Sequence, residues 1–384
     1  RFGLTQGAPP RHQQKETEIK QGAHLRDTLT NEGGRLYTKI AKNKEIDFCV
    51  FFCSGREPDR VWDLQQASYK QVYFEERFFS YSGKFVHCNP DAWTRLRDFQ
   101  PDVIVTTGFN PTFLLAYLYA RLHGAKHVAM TDGTYYTEFQ TLTWVHRFVR
   151  RWVYAGTKAF IGASNGSFDL YRAYGVDDSR IFQSQLCANN DLYGYECRGA
   201  RPYDFVFSAR FIKAKNPDFA IRVAAGVAEV LGRQVTVLMM GSGDMDVELR
   251  KLAQASSPKV RVEFSGFVKQ GDLPQYYASA KVMLFPTQID TWGVVANEAF
   301  AAGVPVLVTP MAGVANDLVI DGENGYVLNL DIDLWVEASA RLLSNSDLWQ
   351  SMSRHARRHV LFYSYENAAK GIYDAVVSAK ASFQ

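Results

Sequence analysis

Residues 282–309 read VMLFPTQIDTWGVVANEAFAAGVPVLVT. An apolar run, Val282–Pro286, leads into a polar break. A stretch that is apolar on nearly every face follows, and then a second apolar run, Val304–Thr309. Short continuous apolar runs are expected of strands covered on both faces of a parallel sheet. Between the two runs, Thr291 predicts a helix N-cap. Gly303 predicts a left-handed stop, and Pro305 bars continuation. The segment reads as a β-α-β unit whose helix is buried on all sides.

The same rhythm extends outward. In the second half, strands are expected at Asp204–Ala209, Val235–Met240, Val260–Ser265 and Tyr326–Leu328. In the first half they are expected at Asp47–Cys53, Gln71–Phe74, Asp102–Gly108, Lys126–Met130, Lys158–Gly162 and Arg180–Ser184. Helical patterns such as Pro217–Leu231 and Leu334–Leu343 fill the gaps. The chain is therefore of the α/β class. Residues 189–202, with Asn189, Asn190, Gly194, Gly199 and Pro202, break the pattern and read as a linker. Two Rossmann-like, doubly wound domains follow, residues 21–188 and 203–365. They are expected to face each other across a cleft, because open α/β sheets bind ligands beyond the carboxyl ends of their strands. Residues 1–20 are polar and aperiodic and read as a disordered tail. Residues 366–384 read as a last helix, with a return path to the first domain open to it.

Composition narrows the partners. The 384 residues carry a net charge of only +3. No basic run is long enough to track a phosphate backbone, so no nucleic-acid partner is expected. Five scattered cysteines without a CxxC pair point to a reducing, cytoplasmic compartment and no metal site. No apolar stretch approaches the roughly 18 residues of a membrane span, and no secretory signal is visible.

Glu298 stands in the middle of the apolar helix. A carboxylate there is costly unless it is paired. It either salt-bridges a structural arginine or accepts hydrogen bonds from a bound sugar or ribose, and the second reading is preferred. Asp290, eight residues earlier, can address the same site from another depth. The amides of Trp292, Gly293 and Val294, just after Thr291, are expected to point out of the helix N-terminus, which suits a diphosphate. After the strand Asp204–Ala209, Arg210 and Lys215 fall where ligands bind. A planar fork and a point charge together can neutralise a departing nucleoside diphosphate.

Weaker signals surround these. Gly241-Ser-Gly243 resembles half a dinucleotide fingerprint or is a plain βα turn. Gly266-Phe267 ends a strand and offers backbone to a base edge, or is a plain turn. The D-x-D pairs Asp244–Asp246 and Asp331–Asp333 are not taken as metal ligands. Asp132 follows the strand Lys126–Met130, where it orients a sugar or forms an Asx turn before Gly133. Gly33-Gly34 is expected to form a turn where the first strand ends, giving backbone contact with the transferred sugar. Last, Trp144, Val145, Phe148, Val149, Trp152 and Val153 form an apolar stripe opposite His146, Arg147, Arg150 and Arg151. Such a helix either lies on an anionic membrane or packs on its own sheet, and the second is expected here.

Taken in order, these segments resemble the retaining glycosyltransferases of family 4, which have the GT-B fold. The resemblance is carried by residues 205–360: Arg210 and Lys215 after a strand, Gly241-Ser-Gly243, Gly266-Phe267, the acids Asp290 and Glu298, then Gly313 and Asp321-Gly-Glu-Asn-Gly325-Tyr. In the first domain, Cys53-Ser-Gly-Arg56-Glu-Pro58 and Gly162-Ala-Ser164-Asn look like family segments. Asp290 stands where the family usually has a glutamate, Asn216 where it has a glycine, and Asp317 where a later glutamate is usual. The resemblance implies that Glu298 holds the ribose hydroxyls of a nucleotide diphosphate sugar. Asp290 would face the sugar, and Arg210 with Lys215 the diphosphate. It further implies metal-independent transfer of a hexose with retention, the departing phosphate taking the acceptor's proton. No cofactor is expected beyond the nucleotide sugar as co-substrate. The acceptor would be a glycan, with a lipid-linked one and a peripheral contact at the inner face of the membrane in view. Two readings compete: an epimerase or phosphorylase on the same two-domain plan, and a non-catalytic membrane-surface adaptor, the latter motivated by the shortened acid at Asp290.

Overall fold

The computed structural model describes residues 21–27, 31–43, 46–55, 68–81, 84–139, 142–193 and 201–381. The proposed tail, residues 194–200 of the proposed linker, and Arg56 to Pro58 of one family-like segment lie outside them. Two parallel sheets organise these residues. The first has seven strands in the order β3-β2-β1-β6-β7-β8-β9. They are β1 (Gln21–Arg26), β2 (Asp47–Phe52), β3 (Lys70–Tyr73), β6 (Val103–Thr106), β7 (Lys126–Thr131), β8 (Ala159–Gly162) and β9 (Ile181–Gln183). A hairpin, β4 (Phe78–Tyr81) with β5 (Lys84–His87), leaves the carboxyl end of β3. The second sheet has the order β12-β11-β10-β13-β14-β15. Its strands are β10 (Tyr203–Ser208), β11 (Val235–Met240), β12 (Val260–Gly266), β13 (Ala280–Phe285), β14 (Val306–Val308) and β15 (Gly325–Val327).

The central strands are buried on both faces, as their apolar runs require: Phe205, Val206, Val237, Leu238, Val282 and Met283 are all inaccessible to solvent. In each sheet the chain starts at an inner strand and winds outward in both directions, which creates a switch point between β1 and β6 and another between β10 and β13. The pattern reading expected a first strand before Gly33 without bounding it, and overlooked the hairpin. Gln21–Arg26 mixes His24 and Arg26 among small residues, so no continuous apolar run marks it.

The two halves meet through their carboxyl edges. Asp317, in the segment after β14, accepts from the backbone amide of Asn165 at 2.7 Å and from its Nδ2 at 3.1 Å. Asn165 begins the helix that follows β8. Asp317 thus supplies a carboxylate to the start of a helix in the other half, where the peptide dipoles favour negative charge. Burial nevertheless pushes its carboxyl up to about 6, while the Asn165 amide and His359 pull the other way. Leu36, in the helix Asn31–Ala41, packs on the cores of both halves.

The last helix, Tyr365–Ala381, starts in the second half and crosses to the first. Tyr365 and Ala368 pack in the second core, whereas Ile372, Ala375, Val376 and Ala379 pack under the first sheet with Val103, Val128 and Ile161. Its closest approach is at Gly371. A Cβ there would lie 1.7 Å from the carbonyl oxygen of Gln183 at the end of β9. Ser184 Oγ donates to the Ala368 carbonyl at 3.0 Å alongside it.

Two measurements check this architecture. Gly371→Ala should lower stability by about 1–3 kcal/mol in urea unfolding, since neither backbone can give way without shifting the crossing. Asp317 should also leave a pH signature. Its folded value, about 6, lies above the ordinary carboxylate value of about 4. Its favourable contribution is therefore complete below about pH 4 and is lost as pH rises through about 6. Relative to Asp317→Asn, the parent chain should lose stability over that window, and parallel pH–stability curves would refute the assignment.

Candidate donor site at the carboxyl edge of the second sheet

The buried helix runs over Val294–Ala301, shorter than its apolar stretch, and Ala296 to Ala301 are all buried. Thr291 does not cap it. Gly293 does, with φ +107°, a conformation that L side chains avoid. A Cβ on Gly293 would also lie 2.4 Å from the Phe285 ring. The sequence signal for a cap was misplaced because this N-cap uses backbone geometry and no side-chain oxygen.

Trp292 also departs from expectation. Its indole is buried, donates to Asn297 Oδ1 at 2.8 Å and packs near Tyr363. Its amide is taken by Asp290 Oδ1 at 3.2 Å. The amides left without an intrahelical partner are therefore those of the first turn, from Gly293 through Val294.

Glu298 is buried at 8% exposure, as its place in the helix demands. Tyr277, from the helix Leu273–Ala278, donates its phenol to Glu298 Oε2 at 2.8 Å. The phenol is itself fully buried. Burial and the neighbouring Glu298 charge raise its ionisation well above the usual tyrosine range, so it stays a donor. Sequence reasoning missed Tyr277. Nothing in Leu273-Pro-Gln-Tyr-Tyr-Ala distinguishes it from a core aromatic until the fold sets it beside the acid.

Arg210 and Lys215 separate into different roles. Arg210 stands exposed just past the end of β10, its guanidinium with no hydrogen bond or ion pair among the described residues. Lys215 is held. Its Nζ donates to Asp290 Oδ2 at 2.6 Å, to the Ile289 carbonyl at 3.1 Å and to Thr287 Oγ1 at 3.3 Å. Those three contacts match its three N–H donors. Asp290 in turn is fixed by Lys215 and the Trp292 amide, while its carbonyl accepts from Gly313 at 3.0 Å. The lysine and aspartate expected to contact diphosphate and sugar separately form one ion pair, both members largely buried.

The Gly241-Ser-Gly243 turn packs on the Arg210 segment. Phe211 N–H donates to the Ser242 carbonyl, and a Cβ on Gly243 would lie 2.6 Å from the Phe211 carbonyl oxygen. Gly266, with φ +67°, ends β12 and accepts from the Gly241 amide, and Phe267 beside it is 77% exposed. These turns hold one another at the carboxyl edge. The D-x-D pairs do local work. Asp246 accepts from the Gly243 amide, and Asp331 caps the helix Ile332–Ser344. Among the described residues no group of three or more His, Cys, Asp or Glu is placed to hold a metal ion.

In the first half, Asp132 is exposed directly after β7. Gly33 and Gly34 are not in a turn. They lie in the first coil of the helix Asn31–Ala41, at the carboxyl end of β1. The basic amphipathic helix, Trp144–Gly156, is mounted the other way round from expectation. Arg150 is buried and ion-paired with Glu138, and its guanidinium stacks on Phe109, 4.6 Å from the ring centre. Trp144, Val145, Phe148 and Trp152 face solvent. Local aromatic and acidic partners for the arginines outweigh the apolar stripe, because a paired, stacked guanidinium is tolerated in the interior.

The family comparisons agree with this geometry. A model of "Glycosyl transferases group 1" matches residues 198–359, and one of a "Glycosyl transferase 4-like domain" matches residues 47–183. The chain is 29% identical over 192 residues to a D-inositol 3-phosphate glycosyltransferase of Salinispora arenicola, covering 48% of this chain and 43% of that relative. The matched segment thus spans under half the length of that relative. Among solved structures it is similar to Anabaena HepE in complex with UDP and glucose, with TM-score 0.70, 16% identity, and 92% and 98% of the two chains covered. It is also similar to sucrose-phosphate synthase from Thermosynechococcus elongatus, with TM-score 0.67, 16% identity and the same shares covered. With two parallel-sheet halves meeting at their carboxyl edges and both family models matched in order, the chain belongs to the GT-B glycosyltransferases of the family 4 type.

Proposed function

We propose that this protein transfers a hexose from a nucleotide diphosphate sugar to a glycan acceptor, with retention at the anomeric carbon and without a metal. The observation that carries the reading is Glu298, a carboxylate kept inside an apolar helix with a neutral phenol as its partner. An ionised carboxylate has about four acceptor positions, enough to serve the Tyr277 phenol and the vicinal hydroxyls of a ribose together. UDP and glucose accompany the Anabaena HepE structure, and the Salinispora relative is named for transfer to an inositol phosphate. Both support the choice of donor and of a hydroxylated acceptor.

Each group then has one task. Glu298 grips the ribose. Arg210, exposed and unpaired at the end of β10, takes the diphosphate together with the amides of Gly293 and Val294. Charge grows on the diphosphate as the glycosidic bond breaks, so this contact strengthens toward the transition state and lowers the barrier. Lys215 positions Asp290 against the sugar and stiffens the 287–292 segment. Asp290 is engaged by Lys215 and by the Trp292 amide. That arrangement suits a fixed hydrogen-bond acceptor better than a nucleophile, and it supports retention through same-face proton uptake by the departing phosphate. Asp132, across at the edge of the first sheet, orients the acceptor. A lipid-linked glycan is the acceptor we favour.

Glu298→Gln and Arg210→Ala should each lower kcat/KM for donor turnover about 10²–10³-fold, measured by release of nucleoside diphosphate. Thermal melts should stay close to the parent. Parent-like rates in both variants would refute the donor site. Turnover should also survive exhaustive chelation, and a loss of activity restored by Mg²⁺ or Mn²⁺ would overturn the metal-free assignment.

A further inference from the structure

We propose that the exposed face of the helix Trp144–Gly156 is a docking surface for an anionic lipid bilayer. This goes beyond the donor-site reading and does not depend on it. Trp144 is 79% exposed and Phe148 66%, and Val145 and Trp152 are each close to half exposed. At 100° per residue these four, with Ala155 and Arg151, occupy one continuous third of the helix surface. The opposite side is committed inward through Arg150, Val153 and Tyr154. The helix cannot roll its aromatics onto the sheet without pulling Arg150 from Glu138 and Phe109.

The surface continues onto the neighbouring helix, Pro111–His123. Tyr117 donates to the Trp152 carbonyl at 3.2 Å, and their rings sit edge to face at 4.9 Å. On that helix Leu118 and Leu122 are also exposed, the latter at 72%.

Charge selects the occupant. Neither helix contains a single Asp or Glu. Arg121 and Arg151 are exposed on them and form no salt bridge among the described residues. Indole and phenyl rings over a rim of unneutralised cations fit the boundary between lipid phosphates and acyl chains. There an amphipathic Trp keeps one end wet and one end dry. A partner protein core would leave these cations uncompensated, and a second copy of the same patch would oppose cation to cation.

The test is co-sedimentation of the full chain with vesicles of phosphatidylglycerol and, separately, phosphatidylcholine. Binding should favour phosphatidylglycerol at least tenfold and weaken with salt. Trp144→Ser combined with Phe148→Ser should reduce it at least tenfold, and Arg151→Glu should reduce it as well, with melting temperature and nucleoside diphosphate binding unchanged. Absence of vesicle binding, equal binding to both lipids, or undiminished binding by the double variant would overturn the proposal. So would a dimer in sedimentation velocity that the double variant dissolves. Nucleoside diphosphate binding by the same samples reports on the donor site separately, so failure of one reading is not mistaken for failure of the other.

Discussion

The helix Val294–Ala301 is buried on every side and carries a carboxylate. Removing an ionised carboxylate from water costs several kcal/mol unless hydrogen bonds replace the lost hydration. Tyr277 provides one such bond, and its placement has consequences around it. The phenol must come from the short helix Leu273–Ala278, which must therefore pack directly on Val294–Ala301. The entry to the buried helix must turn sharply enough to clear Phe285, which only Gly293 allows. The carboxyl edge of the second sheet is organised to keep one acid indoors. A carboxylate bonded to a neutral phenol, at the sheet edge where open α/β folds bind ligands, is the reason to look for a ligand.

Lys215 and Asp290 answer the opposite problem. Each would be costly alone in so enclosed a place, and together they are neutral. The pair ties the loop after β10 to the loop after β13, with the Gln288 amide donating to Ala214 at 2.8 Å beside it. Loop rigidity is thereby supplied at the sheet's switch point, where a bound molecule needs fixed donors and acceptors. Arg210, left outside the pair, remains available for an anion. Two cations five residues apart in sequence differ in pairing because only one of them has an acid within reach.

Much of this was legible beforehand, for stated physical reasons. Parallel strands covered on both faces produce unbroken apolar runs, so β10, β11 and β13 were visible as Asp204–Ala209, Val235–Met240 and Val282–Pro286. Gly303 and Pro305 marked the end of the buried helix. The start was misread, because Thr291 looked like a cap and a backbone-only cap at Gly293 leaves little trace in residue identity. Gly33 and Gly34 were misread for a related reason. Paired glycines signal a turn in isolation, yet the first coil of a helix tolerates them when tertiary packing holds it. Tyr277 was invisible because its role is defined wholly by a neighbour 21 positions away.

The helix Trp144–Gly156 shows where pattern alone stops. Its periodicity gives two faces and does not say which one meets the sheet. The usual presumption, apolar side inward, fails when the polar side finds better company. Arg150 meets a carboxylate at Glu138 and a ring at Phe109, and Arg147 donates to the Phe139 carbonyl at 2.6 Å while its guanidinium lies over the Phe139 ring. All of these lie within the first half, close in the fold and some in sequence. Once the arginines are satisfied in this way, the aromatic face is what remains for the outside. A protein retains such a face where something other than its own core covers it.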